Sequence, residues 1–264
     1  MSSRRTYFGF EEVDEDHKAA RVAGVFSSVA RRYDLMNDLM SLGIHRLWKR
    51  FFVELCAVRP GAHVLDLAGG TGDITRLLQP RVNPPAGEPA RPPSVAPAPN
   101  PGRIVLADIN PDMLAVGRRR LVDENAAAGV DFVLADAQQL PFREGSFDRV
   151  CIAFGLRNVT RQDRALRAMF DVLRPGGKLL VLEFSTLRVE ALLPVYRAYN
   201  KHVLPWLGQR VASDGESYRY LAESIEMHPD QDSLRAMMEQ AGFERCQVYN
   251  LSAGVAAVHV GYRL

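Results

Sequence analysis

The 264 residues carry 33 Lys and Arg against 31 Asp and Glu, a net charge of +2, so no overall basic field points to nucleic acid. Three widely spaced cysteines and six histidines form neither a metal motif nor a disulfide framework; no metal site is expected, and a reducing compartment is. No apolar run approaches the ~18 residues of a membrane span, and the length suits one large α/β domain with decorations.

Residues 1–16 are expected to form a flexible N-terminus, with a single domain over 17–264. Ser3-Arg4-Arg5 resembles the start of a twin-arginine signal, but Glu11-Glu12-Val13-Asp14-Glu15-Asp16 stands where an apolar region would be needed, so a cytoplasmic protein is expected. From His17 to about Val58 the apolar positions Val22, Val25, Phe26, Val29, then Leu47, Trp48, Phe51, Phe52 and Leu55 predict helices. Between Lys18 and Arg50 seven Lys or Arg face two Asp, an excess of +5. That is either a solvated basic face or a surface that meets anionic lipid or an apolar substrate held in a membrane, with Arg46 and Lys49 as its expected charges and Trp48, Phe51 and Phe52 beside them.

The stretch Val64-Leu65-Asp66-Leu67-Ala68-Gly69-Gly70-Thr71-Gly72-Asp73 predicts a buried parallel strand, a tight turn and a helix start. Glycines let a ligand approach the backbone, and the free N–H groups of a helix start lie beside it. A plain tight turn is one reading. A dinucleotide site is another, but Gly-x-Gly-x-x-Gly lacks its third glycine here, because Gly70-Thr71-Gly72 is followed by Asp73-Ile74-Thr75. The acids Asp66 and Asp73 on either side suit a ligand bearing an ammonium or sulfonium, such as S-adenosylmethionine.

Pro80 to Pro101 holds nine prolines in 22 residues and predicts a disordered surface insertion with no helix. Order resumes with the strand Arg103 to Asp108. Asp108 lies 36 residues past Gly72, and without the 22-residue insertion the gap is 14, an ordinary βα spacing. A carboxylate there can accept both ribose hydroxyls of an adenosine. A helix over about 111–124 leads to strand Val130 to Ala137, where Asp136 can accept an adenine amine and Ala137 leaves room beside the ring. Strand Phe147 to Phe154 exits into Gly155-Leu156-Arg157-Asn158; helix 161–173 and strand Lys178 to Phe184 follow. Thr71, Asp108, Asp136 and Arg157 fall at the carboxyl ends of parallel strands, where ligands collect. Residues 186–232 read as a helical lid or substrate region with Tyr196, Tyr199, Trp206, Tyr218 and Tyr220. A helix over Ser233 to Ala241 and strands near Arg245–Leu251 and Ala256–Tyr262 close the chain.

Tyr33-Asp34-Leu35-Met36-Asn37 with Ser41, His45 and Trp48, the glycine turn, Ala107-Asp108-Ile109-Asn110, Phe154-Gly155-Leu156-Arg157-Asn158-Val159, Leu182-Glu183-Phe184-Ser185 and Ser217-Tyr218-Arg219-Tyr220-Leu221 stand at consistent spacing. In these motifs the chain resembles the ubiquinone/menaquinone-biosynthesis C-methyltransferase family over nearly all of residues 7–264 except the insertion. The resemblance implies an α/β, Rossmann-like, class I S-adenosylmethionine-dependent methyltransferase with a seven-stranded sheet, N-terminal helices and a helical insertion before the last strands. It implies S-adenosylmethionine as cofactor, bound by Thr71, Asp108, Asp136 and Ala137, and carbon methylation of a polyprenyl benzoquinol, demethylmenaquinol or both. Arg157 and Asn158 become the catalytic candidates, Arg157 stabilising a developing oxyanion and Asn158 orienting a water, with Tyr33 and His45 as further quinol contacts. The implied partners are the polyprenylated quinol, the inner membrane surface met peripherally, and a homodimer or quinone-biosynthesis complex. Departures are Asp136 and Ala153, where many bacterial members carry Asn and Ser, and Asp171 and Arg174 in place of Arg and Lys. The alternatives are a non-catalytic S-adenosylmethionine-binding scaffold and a nucleotide-dependent oxidoreductase.

Overall fold

The computed structural model describes residues 5–30, 37–38, 41, 43–84, 101–189 and 215–264. Its centre is a seven-stranded sheet in the order β5-β4-β3-β6-β7-β9-β8. The strands are β3 (His63–Leu67), β4 (Arg103–Asp108), β5 (Val130–Leu134), β6 (Phe147–Ala153), β7 (Leu173–Phe184), β8 (Glu244–Leu251) and β9 (Ala256–Tyr262). The pairs from β5 through to β7 are parallel, and β9 runs antiparallel to both β7 and β8. Strand order reverses between β3 and β6, which opens a crevice at the carboxyl ends of these two neighbours.

Alternation along the strands builds two apolar layers. Val64, Ile104, Cys151 and Leu180 pack with Trp48 and Phe52 of α2 (His45–Cys56) and with Ile74 and Leu78 of α3 (Asp73–Val82). Leu65, Val105, Val150 and Leu179 pack on the other face, with Leu166 and Met169 of α5 (Gln162–Val172) and Leu234 and Met238 of α7 (Gln231–Gln240). α4 (Pro111–Asp123) covers β4 through Leu121 on Leu106. Both faces are buried, which is why these strands read as near-continuous apolar runs. In the first layer Cys56 and Cys151, 95 residues apart in sequence, bring their sulfurs to 3.3 Å.

The N-terminal stretch expected to be flexible instead carries a hairpin, β1 (Arg5–Phe8) paired antiparallel with β2 (Glu11–Asp14). It leads into α1 (Glu15–Val29) and rests on α6 (Gly215–Glu226). The Phe8 ring stacks on Tyr220 with centroids 4.1 Å apart, and the Phe10 N–H donates to Glu223 at 3.2 Å. These partners lie more than 200 residues away, which hid the hairpin's anchorage from a local reading.

The helix before the insertion also runs further than expected. α3 includes Pro80 in its last turn, where a missing N–H removes only one backbone bond, and ends at Val82. β7 likewise begins at Leu173, five residues before the expected start, with Pro175-Gly176-Gly177 inside it and a register shift opposite Phe147/Arg149. The remainder of the proline-rich stretch, 85–100, and the aromatic positions Tyr196, Tyr199 and Trp206 lie outside the described residues.

The flanks of 85–100 sit at the amino ends of the strands, opposite the crevice, and the Asn83 amide joins them by donating to the Gly102 carbonyl at 3.1 Å. Replacing 85–100 with a short Gly/Ser linker should therefore leave turnover within about twofold and the fold intact, since loop length alone costs little. A large loss of steady-state activity in a folded variant would contradict this.

Candidate active site

The crevice holds a cavity of about 120 Å³, lined from the exits of β3, β4, β5 and β6 and from α1. Its floor is the turn after β3 and its far wall the exit of β6. Ala68 and Phe154 both have positive φ, 51° and 57°, a strained setting for residues with a Cβ. A Cβ on Gly155 would lie 2.5 Å from that of Ala68, and one on Gly117 of α4 would lie 2.4 Å from the Gly70 carbonyl oxygen. The two strand exits and the glycine turn can approach as they do only because both positions are glycine. α1 covers the cavity with Val22 and Phe26. Asn110 fixes it there: its Oδ1 accepts from the Asp112 and Met113 N–H groups to cap α4, while its Nδ2 donates to the Ala23 carbonyl and the Ser27 hydroxyl.

Thr71, Asp108, Asp136, Ala137 and Asn158 all line this one cavity. Asp108 accepts the Gly70 N–H at 2.9 Å and the Asn110 N–H at 2.8 Å. Burial nevertheless pushes its carboxyl up to about 6. Asp136 accepts the Gln138 N–H at 2.9 Å, which fixes the turn after β5. Arg157 does not line the cavity. It is buried against Glu183 of β7 with an ion pair at 2.8 Å, and its Nη1 also donates to the Phe154 carbonyl at 2.7 Å. His45 is likewise buried and lies 2.8 Å from Asp38, outside the cavity; Tyr33 lies outside the described residues.

The acids of the glycine turn differ from each other. Burial works to raise the Asp73 carboxyl, but Lys49 at 2.5 Å and Arg120 at 2.8 Å outweigh it and hold the group below its ordinary value. Among the described residues no cation is paired with Asp66. Its Oδ2 accepts the Thr75 N–H at 2.9 Å and hydroxyl at 2.6 Å, while Oδ1 is buried without a hydrogen-bond partner. Burial, with Asp108 and Asp73 adding negative charge, raises Asp66 to about 7. The sequence offered Lys49 as a lipid-facing charge; the structure instead buries it on α2, one helical turn after His45, in the ion pair with Asp73.

The ubiE/COQ5 methyltransferase family matches this chain over residues 14–263. The chain is 54% identical over 263 residues to the ubiquinone/menaquinone biosynthesis C-methyltransferase UbiE of Methylococcus capsulatus, covering 100% of each chain. It is 53% identical to UbiE of an Enterobacter species, over 99% of this chain and 98% of the other. The chain belongs to the ubiE/COQ5 methyltransferase family. It is an S-adenosylmethionine-dependent C-methyltransferase. Solved S-adenosylmethionine-dependent methyltransferases from Thermotoga maritima (TM-score 0.60, 19% identity, 92% and 100% coverage) and Aquifex aeolicus (TM-score 0.59, 13% identity, 88% and 98% coverage) share its fold.

The site fits that cofactor chemically. A cavity whose floor presents the orphaned Asp66 oxygen and the raised Asp108 carboxyl has an excess of negative character, and S-adenosylmethionine brings a sulfonium and an ammonium. A carboxyl raised in the folded chain holds its proton where the unfolded chain has released it, so stability without ligand falls as pH rises from about 4 to about 7. A cation bound beside Asp66 lowers that carboxyl again. Cofactor binding near pH 6.5 should then release part of a proton, measured by calorimetry in two buffers of different ionisation enthalpy, and Asp66→Asn should shrink the release. No proton exchange in the wild type would refute the assignment. Separately, Asp108→Ala should weaken cofactor binding by about 1.5–3 kcal/mol, the range for hydrogen bonds to charged groups, and unchanged affinity in a folded variant would remove Asp108 from the site.

Proposed function

We propose that the methyltransferase places a methyl group on a ring carbon of a polyprenyl benzoquinol, of demethylmenaquinol, or of both. The supporting observation is that one cavity joins Asp108 and Asp136 to Asn158, with an apolar cover from α1 and Phe154. Bound S-adenosylmethionine supplies the electrophilic methyl on its sulfonium. Asp108 holds the ribose, Asp136 and Ala137 flank the adenine, and Thr71 completes the turn. Val22 and Phe26 keep water from the reacting groups. An aromatic carbon becomes a good nucleophile when a ring hydroxyl loses its proton, so donors aimed at that oxygen raise the rate. Asn158 is the residue assigned to the ring. Arg157 stays protonated and is no base; tied to Glu183 and the Phe154 carbonyl, it holds the loop that presents Asn158. Complementation of quinone-deficient cells, with mass analysis of the extracted quinones, tests the reading and separates the two ring types. Absence of any newly methylated quinone would overturn it.

The prenyl tail keeps the ring near a bilayer, and no helix among the described residues is long and apolar enough to cross one. The methyltransferase reaches its substrate, in this reading, by touching the cytoplasmic face of the membrane through α2. The expected contact through Trp48 and Phe52 is corrected, because both rings are buried in the core. Lys18 and Lys49 are buried too, and Arg46 is engaged by Asp38 at 2.6 Å. What α2 and its leading residue leave outside is Ile44, Leu47 and Phe51, exposed by 39%, 62% and 38% and spaced three and four residues apart, with the exposed Arg50 alongside. A basic, apolar helix face suits an anionic interface, where each Arg contributes about 1 kcal/mol. Binding to anionic vesicles should fall as salt rises, and Leu47→Glu with Phe51→Glu should abolish it and raise KM for a long-tailed quinol while sparing a short-tailed analogue. Vesicle binding indifferent to both changes would point to delivery by a protein complex instead.

A further inference from the structure

Asn158 ends the 3-10 turn Leu156–Asn158, and its amide is constrained from both sides. The Tyr220 hydroxyl of α6 donates to its Oδ1 at 2.9 Å, and its Nδ2 faces the Phe154 carbonyl oxygen at 3.5 Å. A tyrosine hydroxyl can donate or accept, so the carbonyl decides the sense. Turning the amide over would set Asn158 Oδ1 against Phe154 O, two acceptors facing each other. Burial also keeps the Tyr220 proton in place, pushing the hydroxyl up to about 12. With Oδ1 taken, and the Phe154 contact at the outer limit of a hydrogen bond, Asn158 has N–H to offer the cavity.

We propose that Tyr220 is a positioning residue which, by donating to Asn158, turns the Asn158 amide into a hydrogen-bond donor for the substrate's ring oxygen as that oxygen becomes anionic. This deepens the quinol reading above and rests on it. It also changes the part expected of Asn158, from orienting a water to holding the oxyanion itself.

The setting of Tyr220 explains why the chain encloses it. Phe8 of the hairpin stacks on its ring with planes 16° apart, and the Arg21 guanidinium of α1 sits 4.1 Å from the centroid of Phe8. The charged groups around it are Arg157 and Glu183, paired with each other; Lys18, Arg161 and Asp163 lining one adjoining groove; and Glu11, Arg21, Arg219 and Glu223 lining the other, where Glu223 accepts from the Phe10 N–H. The N-terminal hairpin and the loop that carries Asn158, both remote in sequence from α6, thereby converge on the Tyr220 side chain.

Tyr220→Phe keeps the stacked ring and removes the donor. At saturating S-adenosylmethionine, kcat should fall about 10- to 100-fold, while cofactor affinity by calorimetry and the melting temperature stay near wild type. The rising limb of kcat against pH should move up by one to two pH units, because a less stabilised ring oxygen loses its proton at higher pH. In an Asn158→Ala background the same change should add nothing. Asn158→Asp gives an independent test should Tyr220→Phe fail to fold. It keeps an acceptor for Tyr220 but replaces the N–H donor with a second carboxylate oxygen, so it should lose activity at least as fully as Asn158→Ala while still binding cofactor. Wild-type kcat and pH profile in Tyr220→Phe, an undiminished effect in the Asn158→Ala background, or an active Asn158→Asp overturns the proposal alone. A wild-type enzyme that methylates no quinol in the same assay overturns the substrate reading and the proposal with it.

Discussion

The constraint on which the site depends is a pair of buried carboxyls at a strand crossover, with no cation paired to them among the described residues. Asp66 lies near the end of β3 and Asp108 at the end of the neighbouring β4, both almost wholly removed from water. Their partners are a hydroxyl and backbone N–H groups, which soften the cost of burial without cancelling it. Asp73, only seven residues beyond Asp66, has two cations and behaves as an ordinary buried ion pair. In the reading proposed above, Asp73 belongs to the fold, and Asp66 and Asp108 face the cofactor. A cationic cofactor relieves the repulsion, so the destabilising feature of the free chain becomes a favourable interaction of the bound one.

The opposite wall works by a different principle. There the strong interaction, Arg157 with Glu183, is already closed inside the chain, and its product is position. Glu183 accepts from the Arg157 and Phe184 backbone N–H groups as well as from the guanidinium, and Arg157 returns a bond to the Phe154 carbonyl. That lattice holds Phe154 in its left-handed conformation and fixes where Asn158 leaves the turn. Removing either partner of such a pair strands a buried charge, so loss of function there mixes stability with chemistry. Tyr220, neutral and bonded through a single hydroxyl, is where the two effects separate.

The parallel sheet was legible because buried strands carry continuous apolar runs. That the glycine turn, Asp108 and Asp136 line one cavity was legible because they sit within short βα units. Once the insertion is set aside, the spacing from Gly72 to Asp108 is local information. What local patterns did not carry was everything built by distant partners. The hairpin of Arg5 to Asp14 is polar and acidic, and is ordered by Tyr220 and Glu223 far along the chain. Trp48 and Phe52 were read as surface because amphipathic spacing does not say which face is covered; the sheet covers them and leaves Leu47 and Phe51 outside. Arg157 was legible as a special residue, since an Arg at a strand exit is unusual company for an apolar core. Its engagement by Glu183 required the neighbouring strand to be in place.

This difference in legibility follows the division of labour in the cavity. In the proposed reading the cofactor half is made by consecutive βα units, β3 to β5, whose residues stand in the order in which the chain presents them. The substrate half is assembled from β6, β7, the N-terminal hairpin and α6. No short segment specifies it, and every element of it can shift only with its neighbours. Such a half can be adjusted to a particular ring or tail by changes spread over the chain while the cofactor half stays as it is. The covering helix α1 links the two, because Asn110 caps α4 on the cofactor side and grips α1 with the other end of the same amide. The Asn110 amide thereby ties α4 to α1, the helix that continues directly from the hairpin stacked on Tyr220.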